Sequence, residues 1–300
     1  MFLQRHALPD VERLLEITLM SIDLIEIPRS VDKEISAAIL LYSVGIFRHI
    51  GADGNTFRLL GSGTLVQRGS RYGILTADHC IHRCNPPVRL GVPSNQRLYF
   101  VLRGSRTISA STDELFEHRL APADPKRPSR GPDLTFIEIP PGERLSRFRA
   151  FSNFCPLDRD PEILLQEFAV PGRCFVCFGV PEVDQNITIR NDHLVFNEGK
   201  FQAFMGILKD IPRHRSKWDY TQIAADYVSS PTLPVSFAGV SGGGFWGIKI
   251  RRRGEVYDIE DYQFMGVAFY QTPVRKGRRY VRGHFVRSVY STAWRMLPEV

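Results

Sequence analysis

The chain has 300 residues, 43% of them hydrophobic and 24% charged, with 24 glycines and 20 prolines. This length suits one large domain or two packed lobes of about 150 residues each, with a core that needs no disulfide or metal staple. The composition excludes both a disordered chain and a long coiled coil. The net charge of +7 admits an anionic partner, and the five cysteines, at 80, 84, 155, 174 and 177, lack the dense even spacing of a secreted disulfide scaffold.

Residues 1–34 read as a helical extension. Over 9–23, Pro9 suits a first turn, and Val11, Leu14, Leu15, Ile17, Leu19 and Met20 form an apolar stripe. Arg5, Asp10, Glu12, Arg13 and Glu16 interrupt the unbroken apolar run that a secretory signal requires. No stretch reaches the roughly 18 apolar residues of a membrane span. The expectation is a cytoplasmic protein that does not engage a membrane, of unknown oligomeric state.

From about residue 35 the periodicity changes to that of strands. Ala37–Phe47, Thr56–Leu60, Thr64–Arg68 and Arg71–Thr76 are β-branched or aromatic runs separated by glycine-bearing turns. Strands are expected again at Arg97–Leu102 and Leu134–Ile139 and, in the second half, at Cys174–Phe178, Ile187–Ile189, His193–Phe196, Phe245–Ile250, Phe264–Tyr270 and His284–Val286. Residues 287–297 carry Val289, Tyr290, Ala293, Trp294 and Leu297 at helical spacing and predict a closing helix. The fold class is all-β: two antiparallel six-stranded barrels packed together, the first over 35–160 and the second over 161–300.

Three segments carry chemistry. In Gly239-Val240-Ser241-Gly242-Gly243 the glycines permit a tight turn that exposes the Ser241 hydroxyl and aims amide N–H groups into one hollow, although a plain glycine-rich turn would read the same. In Thr76-Ala77-Asp78-His79-Cys80 a histidine follows a strand at a barrel rim, where an imidazole can exchange protons at neutral pH. Asp133 heads the apolar strand Leu134-Thr135-Phe136-Ile137 and needs a partner if buried, with His79 the obvious one. A simple turn aspartate is the alternative there, and Asp113 and Asp124 compete for the role.

In motif and in order, His then Asp then Ser, these segments resemble the trypsin and chymotrypsin family over roughly residues 35–300. The resemblance implies a serine endopeptidase acting on protein or peptide substrates without a cofactor. Ser241 would be the nucleophile, His79 the general base and Asp133 the carboxylate behind it, with the N–H groups of Gly239 and Ser241 as oxyanion hole. It also implies a primary pocket with Val235 and Ser236 at its floor and Ala238 at its entrance. Phe269, Tyr270 and Gln271 would lie on the strand that pairs with substrate backbone, and Gly283, with His284 and Phe285, at the back of the pocket. A floor without an acid favours apolar or small side chains over Lys or Arg. Val240 stands where zymogen-activated members carry an aspartate, so activation by N-terminal cleavage is not expected. Cys80 has the family's position, but Gly61-Ser62-Gly63 lacks the usual partner cysteine.

Two further readings concern metal and nucleic acid. Cys174 and Cys177, with Cys80, His82 and Cys84, would make a metal site only if their side chains converged, and positions three apart on a strand face opposite ways, so no metal is expected. The basic runs 251–253 and 275–279, near Tyr257, Tyr262, Tyr270 and Tyr280, could hold nucleic acid, although no recognised motif accompanies them. Rival functions are a catalytically silent peptide-binding or scaffolding barrel and a peptidase recruited to nucleic acid by its basic surface.

Overall fold

A computed structural model describes residues 29–49, 57–82, 88–91, 96–168, 173–182, 187–190, 193–196, 201–206, 217–226, 236–253 and 256–297. The helix expected at 9–23 lies outside these residues. Helix α1 (Arg29–Leu40) runs past the point where the first strand was expected to begin. Val31, Ile35 and Ile39, one turn apart, are buried, and the helix-favouring pair Ala37-Ala38 carries the helix on to Leu40.

The first half of the chain forms β1 (Ser43–His49), β2 (Phe57–Arg68), β3 (Arg71–Thr76), β4 (Arg97–Val101), β5 (Thr107–Ser111), β6 (Phe116–Ala121), β7 (Leu134–Glu138) and the two-residue β8 (Cys155–Pro156). They make one sheet in the order β5-β4-β1-β2-β3-β7-β6, with β8 added in parallel to β2. The second half adds β9 (Arg173–Gly179), β10 (Ile187–Arg190), β11 (His193–Phe196), β12 (Gln202–Gly206), β13 (Tyr220–Asp226), β14 (Gly244–Arg253), β15 (Val256–Gln271) and β16 (Arg278–His284). Six of these form a second antiparallel sheet, β12-β9-β14-β15-β16-β13, and β10 and β11 make a separate hairpin. The fold is therefore two antiparallel sheets, as expected for a two-barrel chymotrypsin-like architecture. The first sheet holds eight strands rather than six, and neither ladder closes into a ring among the described residues.

Two helices intervene, α2 (Asp78–His82) after β3 and α3 (Glu143–Phe151) after β7, and α4 (Pro161–Phe168) joins the two sheets. The expected closing helix is a π-type turn at Ser288–Thr292 followed by a 3-10 turn at Trp294–Met296. One core fills the first sheet with Ile46, Leu65, Ile74, Phe100 and Ile137. A larger core passes from Ile35 and Ile39 through Leu75 and Phe136 to Phe178, Phe245, Trp246 and Phe264 of the second sheet and to Tyr290 and Trp294. The two sheets thus bury apolar surface against each other. No helix among the described residues is long and apolar enough to cross a membrane.

The runs expected as two strands at 56–60 and 64–68 are one strand, because Gly61-Ser62-Gly63 pairs straight across to Ile46, Gly45 and Val44. Close approach, rather than a turn, requires the first of these glycines. A Cβ on Gly61 would lie 2.4 Å from Cys80 Sγ and 2.8 Å from the Ser241 carbonyl oxygen. Gly61→Ala is therefore expected to destabilise the fold by about 1–3 kcal/mol, as overpacking does, which urea unfolding followed by tryptophan fluorescence would measure.

Candidate active site

His79 sits on α2, a single turn that begins as β3 ends, rather than on extended chain at the barrel rim. On a helix its neighbour Asp78 is rotated by about 100° rather than 180°, and the two side chains serve different partners. Asp78 is buried and accepts hydrogen bonds from Arg119 Nε at 2.9 Å and Nη2 at 3.0 Å, from the Ala123 N–H at 2.9 Å and from Thr135 Oγ1 at 2.9 Å. Burial pushes its carboxyl upward, but these donors and the nearby His82 outweigh it and hold the group below its ordinary value. Asp78 braces α2 against β6 and β7.

Asp133, 2% exposed, presents both carboxylate oxygens to His79. Oδ2 lies 2.6 Å from His79 Nδ1, and Oδ1 accepts the His79 backbone N–H at 2.9 Å. In the neutral ring this contact favours the proton on Nδ1, leaving Nε2 as the acceptor that faces Cys80 Sγ. Burial alone would lower the imidazole pKa, but the Cys80 sulfur and the hydrogen-bonded charge of Asp133 hold it well above the ordinary value. Of the competing carboxylates, Asp124 accepts the Lys126 N–H at 2.8 Å within its own turn.

Ser241 stands in a turn closed by Val240 N–H to Phe237 O at 3.0 Å and Gly243 N–H to Val240 O at 2.8 Å, and tied to β15 by Gly242 N–H to Ala268 O at 2.7 Å. Gly239 and Gly242 have φ of 88° and 87°, a region that favours glycine. The Ser241 carbonyl is held from the first sheet, accepting the Ser62 N–H at 2.7 Å and the Cys80 thiol at 3.4 Å. Cys80 follows His79 directly, and its Sγ is 3.9 Å from His79 Nε2, so this bond brings the serine turn beside the imidazole. Ser62 Oγ donates to the Gly239 carbonyl at 2.7 Å and accepts the Val180 N–H at 2.8 Å. With the carbonyls of 239 and 241 engaged, their N–H groups have no acceptor among the described residues. Two such unclaimed amides flanking a serine can bind an oxyanion.

The pocket residues divide. Val235 lies outside the described residues. Ser236 Oγ accepts the Ala238 N–H at 3.1 Å and Gln271 Nε2 at 3.2 Å, while Gln271 Oε1 accepts the Phe237 N–H at 2.8 Å and Arg279 Nη1 at 3.2 Å. The expected floor and the expected substrate strand are therefore stitched together. Phe269 is buried with Ala77 and Cys80, and the half-buried Tyr220 and Tyr270 pack on them. A side chain on Gly283 would meet the Val267 carbonyl at 2.3 Å and the Phe245 ring at 2.6 Å, so core packing explains this glycine.

Sequence reasoning missed Ser62, Arg119 and the role of His284. Ser62 lies in a strand with nothing to distinguish it, and Arg119 is one arginine among many. His284, expected at the back of the pocket, instead accepts the Asp133 N–H on Nε2 at 3.0 Å. Elsewhere Asp78, His82 and Glu117 bring three ligand atoms within 4.8 Å, but Arg119 occupies both Asp78 oxygens with a cation. Cys174 is buried, which pushes its thiol up to about 12, away from the thiolate a metal needs. In the first basic run, Arg251 pairs with Glu260, as does Lys249 at 2.7 Å, so part of its charge is met across the β14–β15 ladder.

No family model and no curated protein matches the chain. Among solved structures it is similar to the crystal structure of a thermostable serine protease, AL20, from an extremophilic microorganism. That similarity has a TM-score of 0.43 and 14% identity, and it covers 84% of this chain and 94% of that one.

Proposed function

We propose that this chain is a serine endopeptidase in which Ser241, His79 and Asp133 form a triad. The observation that carries the reading is the pair of contacts from Asp133 to His79, on a ring whose neighbour Cys80 bonds the Ser241 carbonyl. Asp133 holds the Nδ1–H tautomer, so Nε2 takes the Ser241 hydroxyl proton as Oγ forms a bond to the scissile carbonyl carbon. The carbonyl π electrons move to oxygen, and the Gly239 and Ser241 N–H groups meet the resulting oxyanion. Each such donor contributes about 2.7–4 kcal/mol. As the C–N bond breaks, His79 returns its proton to the leaving amine, leaving an ester on Ser241. Water then hydrolyses the ester with His79 again accepting a proton. Substrate is a protein or peptide lying along Phe269–Gln271, and no cofactor takes part.

A fluorophosphonate probe tests the reading, because it reacts with an activated serine and not with an ordinary one. Peptide mapping is expected to find the adduct on Ser241 alone, and prior heat unfolding to abolish it. An intact protein that stays unlabelled, or carries the adduct elsewhere, would refute the proposal.

A further inference from the structure

His284, at the end of β16, is fully buried and stands behind the triad rather than in it. Its ring lies among the aromatic rings of Trp218, Tyr220 and Phe269, with centroids 5.2, 5.1 and 5.3 Å away. Its one polar contact among the described residues is the Asp133 N–H on Nε2, and Nδ1 has no partner there. An imidazolium has no lone pair and would lose that bond, and an apolar cage cannot compensate its charge. Burial accordingly drives the ring down to about 3, and it stays neutral across the working range.

The Asp133 carboxylate spends both oxygens on His79, so among the described residues no third group holds it in place. The aspartate is fixed instead through its backbone. Its N–H is held by His284, and the neighbouring Gly131 abuts the Tyr220 ring, where a Cβ would come within 2.7 Å. We infer that His284 is a positioning residue for the triad: its neutral ring, protonated on Nδ1, accepts the Asp133 amide on Nε2 and so sets from the second sheet where the first sheet's carboxylate meets His79. The inference rests on the triad reading above and concerns which group outside the triad aligns it.

Nitrogen-15 NMR of the wild-type protein tests the tautomer without any variant. Nε2 of His284 is expected to be an unprotonated acceptor at pH 7, and an Nε2–H tautomer would overturn the inference. His284→Phe keeps the ring shape and removes the acceptor, whereas His284→Gln can bring a carbonyl oxygen to about the same point. In fluorophosphonate labelling, His284→Phe is expected to lower the maximal labelling rate about tenfold or more without changing the half-saturating probe concentration, as small misalignments do. His284→Gln should recover most of that loss, and the His79 Nδ1–H resonance should move in the Phe variant alone. A fall of less than about fivefold in His284→Phe, or an equal fall in both variants, would overturn the positioning role. Failure of the wild type to label would sink the triad reading instead, leaving the NMR measurement to decide His284.

Discussion

Replacing His79 by alanine is expected to lower kcat about 10⁶-fold, because a serine without its base is a poor nucleophile and the members of a triad act as a unit. The fold should survive. The His79 side chain is 26% exposed, and Asp133 keeps the backbone N–H of residue 79 when the ring is gone. The buried Asp133 oxygen that loses Nδ1 costs about 1–3 kcal/mol in stability. With His79 as the proposed base, activity requires the neutral ring, so kcat/KM should climb with pH through a value above the ordinary imidazole value of about 6.5. Stability responds in the opposite sense. A folded-state value above the unfolded one adds stability that is fully present below about pH 6.5 and is lost as pH rises through the folded value. Steady-state kinetics and urea midpoints across pH would record both trends. A rate that is flat between pH 5 and 9 would remove His79 from the role of base.

Asp133→Asn is expected to lower kcat about 10⁴-fold with little change in KM. The shape is kept, but the amide can turn its NH₂ toward His79 Nδ1, which drives the ring proton to Nε2, where it faces Ser241 as a donor. Loss of the carboxylate also removes a charge and a hydrogen bond that hold the His79 value up, so the rising limb of the pH profile should move to lower pH. A decrease smaller than about tenfold would mean that another group carries the charge behind His79.

The candidate site is more legible in the sequence than the framework that supports it. Ser241, His79 and Asp133 stand in short strings whose residue types their chemistry constrains, and the structure brings the two members of the Asp133–His79 pair into contact. Gly61-Ser62-Gly63 looked like a turn, because local reading cannot distinguish a glycine that bends the chain from one that makes room for Cys80 and Ser241. β6, with Glu117, His118 and Arg119, and β5, with small alternating residues, lack the β-branched runs that mark strands, and their pairing to β7 and β4 is set by tertiary context. Ala37-Ala38-Ile39-Leu40 suits a helix and a strand alike, so the local pattern does not mark the start of β1. The bond from Asp133 N–H to His284 spans 151 residues, and no periodicity reports such a pairing.

The hold of Ser62 and Cys80 on the Ser241 carbonyl has a consequence for synthesis. A nascent chain that has completed only its first sheet lacks both the serine turn and the His284 ring that holds the Asp133 N–H. Once the later sheet emerges, its serine turn is seated by docking on β2 and α2. On the triad reading, hydrolytic capacity therefore arises in the same step that buries the apolar surface shared by the two halves. On that reading the loose, half-made polypeptide, the form most vulnerable to cleavage, is shielded from the proposed chemistry.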